Sequence, residues 1–188
     1  KVLVHREASR QNIAQGKNAA AKEASGDYFV FIDADVQIPN IDQFFLKALS
    51  VFKETPNLVG LTVSLKVLPA MATLPDKIVF SCVNFIFYVM NNVLHLGAAS
   101  GEFQMVRADA FKKLRGYNEK LVVAEDNEFL SRLAKIGSTR IEPTLHILHT
   151  SRRAHKVGWP SLLWSWAINW LSMIFLKRSK DSEWEVIR

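Results

Sequence analysis

Two hydrophobic patterns alternate along the chain. Short apolar runs rich in β-formers are separated by stretches whose apolar positions repeat every three to four residues. Residues 2–5 form the first short run. Residues 9–24 are rich in Ala, Lys and Gln and predict a helix that Ser25-Gly26-Asp27 ends. Residues 28–36 predict a buried strand. After a turn at Pro39-Asn40, residues 41–53 place Ile41, Phe44, Phe45, Ala48, Leu49 and Phe52 at helical spacing. Residues 58–68 alternate and are β-branched, so a strand is expected. Residues 76–95 form a long apolar stretch. A short strand follows at 103–107, then a short helix at 108–114. Residues 125–136 predict an amphipathic helix closed by Gly137 in the C′ position. Residues 140–148 predict a final strand. Strands alternating with helices imply an α/β architecture, a mixed sheet sandwiched by helices.

The strand at 28–36 reads Y-F-V-F-I-D-A-D-V. It carries Asp33 and Asp35 at its C-terminal end, the edge where open α/β sheets bind ligands. Side chains at i and i+2 of a strand share a face, so both carboxylates are expected to address one site. Two hard oxygen donors suit Mg²⁺ or Mn²⁺ shared with substrate phosphates. The plain alternative is a solvated turn, where aspartate is common.

The 188 residues are enough for one domain with a real core, and the 49% hydrophobic share excludes a disordered chain. The single cysteine, Cys82, excludes an internal disulfide and a cysteine zinc site. A net charge of +6 points to anionic partners such as nucleotide phosphates or lipid headgroups. Nucleic acid is set aside, because no strand interleaves aromatic and basic residues and no nucleic-acid motif is present.

A second acidic site, A-E-D-N-E-F-L-S-R-L, opens the helix at 125–136. Glu125 and Asp126 there are favoured by the helix dipole alone. In the functional reading, one of them takes a proton from a hydroxyl attacking an electrophilic carbon. A third element, H-I-L-H-T-S-R-R-A-H-K-V-G-W, carries Arg152 and Arg153, which can clamp a diphosphate. The run is expected to be a basic loop, mobile before a Gly-Trp hinge, and able to close as a lid.

Taken in order, G-K-N-A-A-A-K-E-A-S-G-D-Y-F-V-F-I-D-A-D, A-S-G-E-F-Q-M-V-R-A-D-A-F-K-K-L-R-G-Y-N-E and A-E-D-N-E-F-L-S-R-L-A-K-I-G resemble the family 2 glycosyltransferases of GT-A fold. The resemblance covers roughly residues 1–159. It implies a GT-A-like (Rossmann-like) fold, a UDP- or GDP-sugar donor, a divalent metal and inversion at the anomeric carbon. It assigns Asp33 and Asp35 to metal and diphosphate, and His149 to completing the metal shell. Asp126 becomes the base, with Glu125 beside it. Lys17-Asn18 matches an Arg-Asn pair near the nucleotide, with Lys losing the planar fork. Gly101 and Glu102 match the acceptor-side loop, and Trp159 is placed on that side. The family's two leading strands, which bind base and ribose, have no counterpart here. The chain is therefore expected to begin at the third strand of an N-terminally truncated domain.

Residues 157–176 are almost uncharged, with Trp159, Trp164, Trp166 and Trp170. Ser161, Ser165, Asn169 and Ser172 form a thin polar stripe at helical spacing, and basic residues flank both ends. This predicts an amphipathic helix lying at a membrane interface. The expected division is a partial glycosyltransferase domain over 1–156 and this helix with its tail over 157–188. Residues 76–95 show a similar stripe, Lys77, Ser81, Asn84, Tyr88, Asn91 and His95. The two segments are expected to form one membrane-facing surface at the cytoplasmic face of a membrane, peripheral or interfacially anchored. The acceptor is then a saccharide or a lipid-linked molecule. The processivity motif Q-x-x-R-W is absent, which favours single transfer. The competing reading is a non-catalytic membrane-bound module that keeps the fold and only binds or scaffolds.

Overall fold

The computed structural model describes residues 11–176, so the expected strand at 2–5 lies outside the described residues. Helix α1, Ile13–Glu23, starts at a capping box. The Asn12 side chain accepts from the Gln15 N–H, and the Gln15 side chain accepts from the Asn12 N–H. Strand β1 is Tyr28–Ile32, shorter than the expected 28–36. The Val36 N–H donates to the Asp33 carbonyl at 3.3 Å and closes a turn. Asp33 and Asp35 therefore stand on a turn just past the strand, not on alternate strand positions.

The chain continues through α2 (Ile41–Glu54), β2 (Leu58–Val67) and α3 (Leu74–Tyr88), which runs into a π-helical turn at Val89–Val93. Strand β3 (Phe103–Arg107), α4 (Ala108–Lys113), α5 (Glu125–Leu133) and β4 (Ser138–His149) follow. Two helices end the described residues, α6 (Arg152–Val157) and α7 (Trp159–Leu176), parted by Gly158 at φ 82°. The basic run expected as a loop is thus a six-residue helix.

The four strands make one mixed sheet in the order β1-β3-β2-β4. Strand β3 is antiparallel to both β1 and β2, and β4 is parallel to β2. Apolar residues cover both faces. On one face Phe44, Val51 and Phe52 of α2 pack with Leu61, Phe103 and Ile147. On the other, Ala14, Phe111, Phe129 and Leu133 pack against Phe29, Phe31 and Val106. Burying apolar area on both faces drives this layering. Helix α5 stops three residues earlier than expected. Gly137 is not among the residues with positive φ. Glycine is needed there for space, because a methyl would stand 2.5 Å from a Val59 carbon and 2.8 Å from the Asn57 carbonyl oxygen.

The long apolar stretch is fastened by asparagines. Asn84 accepts from the Leu65 N–H at 2.8 Å and donates to the Leu65 carbonyl at 2.9 Å. Asn92 does the same to Ile141 on β4, at 3.0 and 3.1 Å. Asn91 accepts from the Ala98 N–H at 3.2 Å and donates to its carbonyl at 2.7 Å. Each amide copies the paired donor and acceptor of a peptide group, so buried backbone groups are satisfied. The π-helical turn lets adjacent Asn91 and Asn92 serve two different segments. Ala98, on the approach to β3, is anchored this way. Among the described residues no helix is long and apolar enough to cross a membrane.

Candidate active site

Four elements bring charge to one place. The turn after β1 carries Asp33 and Asp35, and the approach to β3 carries Gly101 and Glu102. The first turn of α5 carries Glu125 and Asp126, and α1 carries Lys17. A backbone bond from the Asp33 N–H to the Glu102 carbonyl, 3.3 Å, ties the first two together. Gly101 marks the meeting point. A methyl there would stand 2.9 Å from Asp126 Oδ2 and 3.7 Å from Asp33 Oδ2. Both carboxylates therefore face the same cleft floor, and only a residue without a side chain leaves them that space.

Asp126 is held through its other oxygen. Oδ1 accepts from Lys17 Nζ at 2.6 Å and from Gln104 Nε2 at 2.6 Å. The Tyr117 hydroxyl donates to Gln104 Oε1 and fixes which way that amide points. Lys17 also reaches Glu125 Oε1 at 3.3 Å. Ala124, in the left-handed conformation at φ 66°, turns the chain so that both acids enter the first helical turn, where the dipole favours them.

Burial and neighbouring charge perturb these groups. Glu125 is pushed up to about 8, first by burial and then by the Asp126 charge, with Lys17 opposing. Asp33 is raised to about 7. Its residue surface is exposed, but its carboxyl sits in the cleft. Loss of solvent there leads, ahead of the Glu102, Asp126 and Asp35 charges. Lys17 is held above the ordinary lysine range, because burial, which works against its charge, is outweighed by Asp126 and Glu125. Burial also acts to raise Asp35, but hydrogen bonding and charge from Arg152 bring it below the usual carboxylate value.

Several of the expected site residues have partners within the chain. Lys17 contacts the acidic pair of α5. Asn18 donates to the Tyr117 carbonyl and Glu119 Oε1 and accepts from the Tyr117 N–H, so its amide is committed to the turn at Gly116-Tyr117. Arg152 pairs with Asp35 at 2.7 Å and with Thr150. Arg153 follows in the first turn of α6. The Trp159 indole donates to Asp76 at 2.9 Å.

His149, buried at the end of β4, is a poor fit to the metal role. Its Nδ1 accepts from the Ser151 N–H at 3.2 Å, which leaves the proton on Nε2 and no lone pair there for a cation. Among the described residues no group of three or more His, Cys, Asp and Glu side chains is gathered to hold a metal ion. Asp33 and Asp35 remain as hard oxygen donors. Their mutual repulsion and that of Glu102 and Asp126 would be relieved by a divalent cation, so the pair fits Mg²⁺ or Mn²⁺ with further oxygens from a substrate. Gln104 and Tyr117 went unnoticed in the sequence. A glutamine within the apolar run F-Q-M-V was the available signal.

The model of the family described as glycosyl transferase family 2 matches residues 1–115. Asp33, Asp35 and Gly101 fall inside that match, and Glu125 and Asp126 join them through geometry. Among solved structures, the chain is similar to the mannosyltransferase PcManGT from Pyrobaculum calidifontis, seen in complex with GDP-Man and Mn²⁺. The identity is 20% and the TM-score 0.63, over 91% of this chain and 44% of that one. S. aureus TarS is similar at 16% identity and TM-score 0.53, over 77% of this chain and 25% of that one. TarS 1-349 in complex with UDP-GlcNAc is similar at 16% and 0.51, over 75% and 39%. At these identities the likeness is one of fold. The chain spans less than half the length of these proteins. No curated protein sequence matches it.

The raised acids set a pH dependence. An unfolded chain releases these protons near 3.8 and 4.5, whereas the folded chain keeps them until about 7 and about 8. Over that interval the folded state binds more protons, so stability falls as pH rises and levels off above it. Thermal unfolding should show the midpoint dropping between about pH 5 and pH 8. Asp33→Asn should flatten the drop, and an unchanged slope would contradict this source of it.

Proposed function

The chain belongs to glycosyl transferase family 2, and from that membership we propose that it serves an inverting, metal-dependent glycosyltransferase. The sugar moves from a UDP- or GDP-sugar donor to a hydroxyl of a saccharide or lipid-linked acceptor, at the cytoplasmic face of a membrane. The observation that carries this reading is the convergence of Asp33 and Asp126 over Gly101. One carboxylate faces the leaving side and the other faces the attacking hydroxyl.

Asp126 is the base. Lys17 and Gln104 hold Oδ1, which leaves Oδ2 toward Gly101 to take the hydroxyl proton. As that proton leaves, the acceptor oxygen bonds to the anomeric carbon and the bond to the diphosphate oxygen breaks, so configuration inverts. Glu125, raised by burial and by the Asp126 charge, stands beside it as the second carboxylate of the pair. A divalent cation on Asp33 and Asp35 would neutralise charge on the departing diphosphate. Arg152 is within reach of the same phosphates once a donor competes with Asp35 for its guanidinium. The nucleotide complexes of PcManGT with GDP-Man and of TarS with UDP-GlcNAc support a nucleotide-sugar donor.

The membrane part of the reading is supported by two inside-out helices. Helix α3 and its π-helical turn aim Asn84, Asn91 and Asn92 at the protein, while Ile78, Phe85, Ile86 and Val93 are exposed. Helix α7 buries Asn169 and Ser172 and exposes Trp164, Phe175 and Leu176. Polar-in, apolar-out helices suit an apolar environment, and the tryptophans suit its interface.

Asp126→Asn should lower transfer by about a hundredfold or more. Calorimetric binding of GDP-mannose or UDP-GlcNAc with Mn²⁺ should be retained. Full turnover by the variant would remove Asp126 from the role, and absence of binding to either donor would favour a non-catalytic module. For the membrane, the protein should co-sediment with anionic liposomes, and Phe85→Glu together with Phe175→Glu should release it. Failure of the parent protein to co-sediment would end that part of the reading.

A further inference from the structure

A carboxylate with no exposed surface stands in the first turn of α3. Asp76 Oδ2 accepts from the Thr73 N–H at 2.8 Å, the Thr73 hydroxyl at 2.7 Å and His155 Nε2 at 2.8 Å. Its Oδ1 accepts from the Ser151 hydroxyl at 3.2 Å and the Trp159 indole N–H at 2.9 Å. A carboxylate only accepts, so the proton of His155 is on Nε2. Burial alone would raise Asp76, but these donors, Thr73 and His155 foremost, hold it well below the usual carboxylate range.

Thr73 and Asp76 form the capping box of α3, and a capping box does not require burial. The other three donors come from a different part of the chain. Ser151 precedes α6, His155 lies within it, and Trp159 opens α7. A single buried charge thus grips α6 before, inside and after its six residues. A helix this short does not hold itself in place, so its position is set by what it is fastened to. Burying a carboxylate is unfavourable unless its lone pairs are filled, and three of the donors here exist only while α6 is docked. Arg152 is the residue next to Ser151, and Arg153 follows it.

We propose that Asp76 is a positioning residue, a latch that docks α6 on α3 and so holds Arg152 and Arg153 where the donor diphosphate is taken up. The diphosphate part rests on the glycosyltransferase reading above; the latch itself does not.

Limited trypsin digestion of the full chain tests it, because the enzyme cuts after arginine and lysine. In Asp76→Asn, cleavage after Arg152 and Arg153 should rise by about tenfold or more relative to cleavage after Lys47 and Lys53 on α2. Trp159→Phe removes one donor while keeping a ring against Phe80 and Trp166, and it should raise cleavage at the same place by less. It also serves if Asp76→Asn does not fold. An unchanged pattern, or an equal rise at all sites, overturns the latch. In the second arm, donor affinity is measured with GDP-mannose and UDP-GlcNAc in Mn²⁺. The variant should raise KM for the donor several-fold with a much smaller change in kcat. Cleavage that rises while donor affinity stays the same overturns the positioning role. If the parent protein binds neither sugar, the glycosyltransferase reading fails while the protease arm still decides the latch.

Discussion

The structure depends on keeping several carboxylates close together at the end of a sheet. The charges of Glu102 and Asp126 act on Asp33, and that of Asp126 acts on Glu125. Lys17, reaching across from α1, meets two of them at 2.6 and 3.3 Å. Burying such a group without its partner is strongly unfavourable. The pairing of α1 with α5 is therefore as much an electrostatic requirement as a packing one. The cleft still carries surplus negative charge, which adds to burial in raising Asp33 and Glu125. A site that lacks positive charge when empty is suited to accept a cation together with its phosphates.

Around this centre, polar side chains are used as fasteners. Asn84, Asn91 and Asn92 pin the α3 segment to β2, to the approach of β3 and to β4. Asp76 fastens α6 and the start of α7 to the other end of α3. Because these groups point inward, the outer face of α3 is left to Ile78, Phe85 and Ile86, and that of α7 to Trp164 and Phe175. The apolar exterior and the rigid placement of the cleft loops thus share one cause.

Much of this was legible in the residues. Periodicity marked the helix at Ile41–Glu54 and the strands at Leu58–Val67 and Phe103–Arg107, because apolar spacing reports burial directly. The acid clusters were visible as D-A-D and A-E-D, and their meeting over Gly101 follows from the α/β layering. Other features were hidden because they depend on tertiary partners. Strand β1 ends at Ile32 because a local turn replaces sheet pairing. Asn18 matched a nucleotide motif, but its amide is taken up by Tyr117. His149 has the right residue type for a metal, but the Ser151 N–H determines its tautomer. Of the polar stripe of 76–95, only the fold could show that Asn84 and Asn91 turn inward while Lys77, Ser81, Tyr88 and His95 stay exposed. Asp76 stood in the sequence only as the first residue of the apolar stretch 76–95, and its three distant donors are invisible there.

The central claim is that the two acidic clusters form one electrostatic unit. Carbon-detected NMR titration of the Asp33 carboxyl, in the parent protein and in Asp126→Asn, measures this without any substrate. The account predicts a midpoint near 7 in the parent protein and a clear downward shift when the Asp126 charge is removed. An Asp33 midpoint in the ordinary carboxylate range, or one indifferent to Asp126, would contradict it.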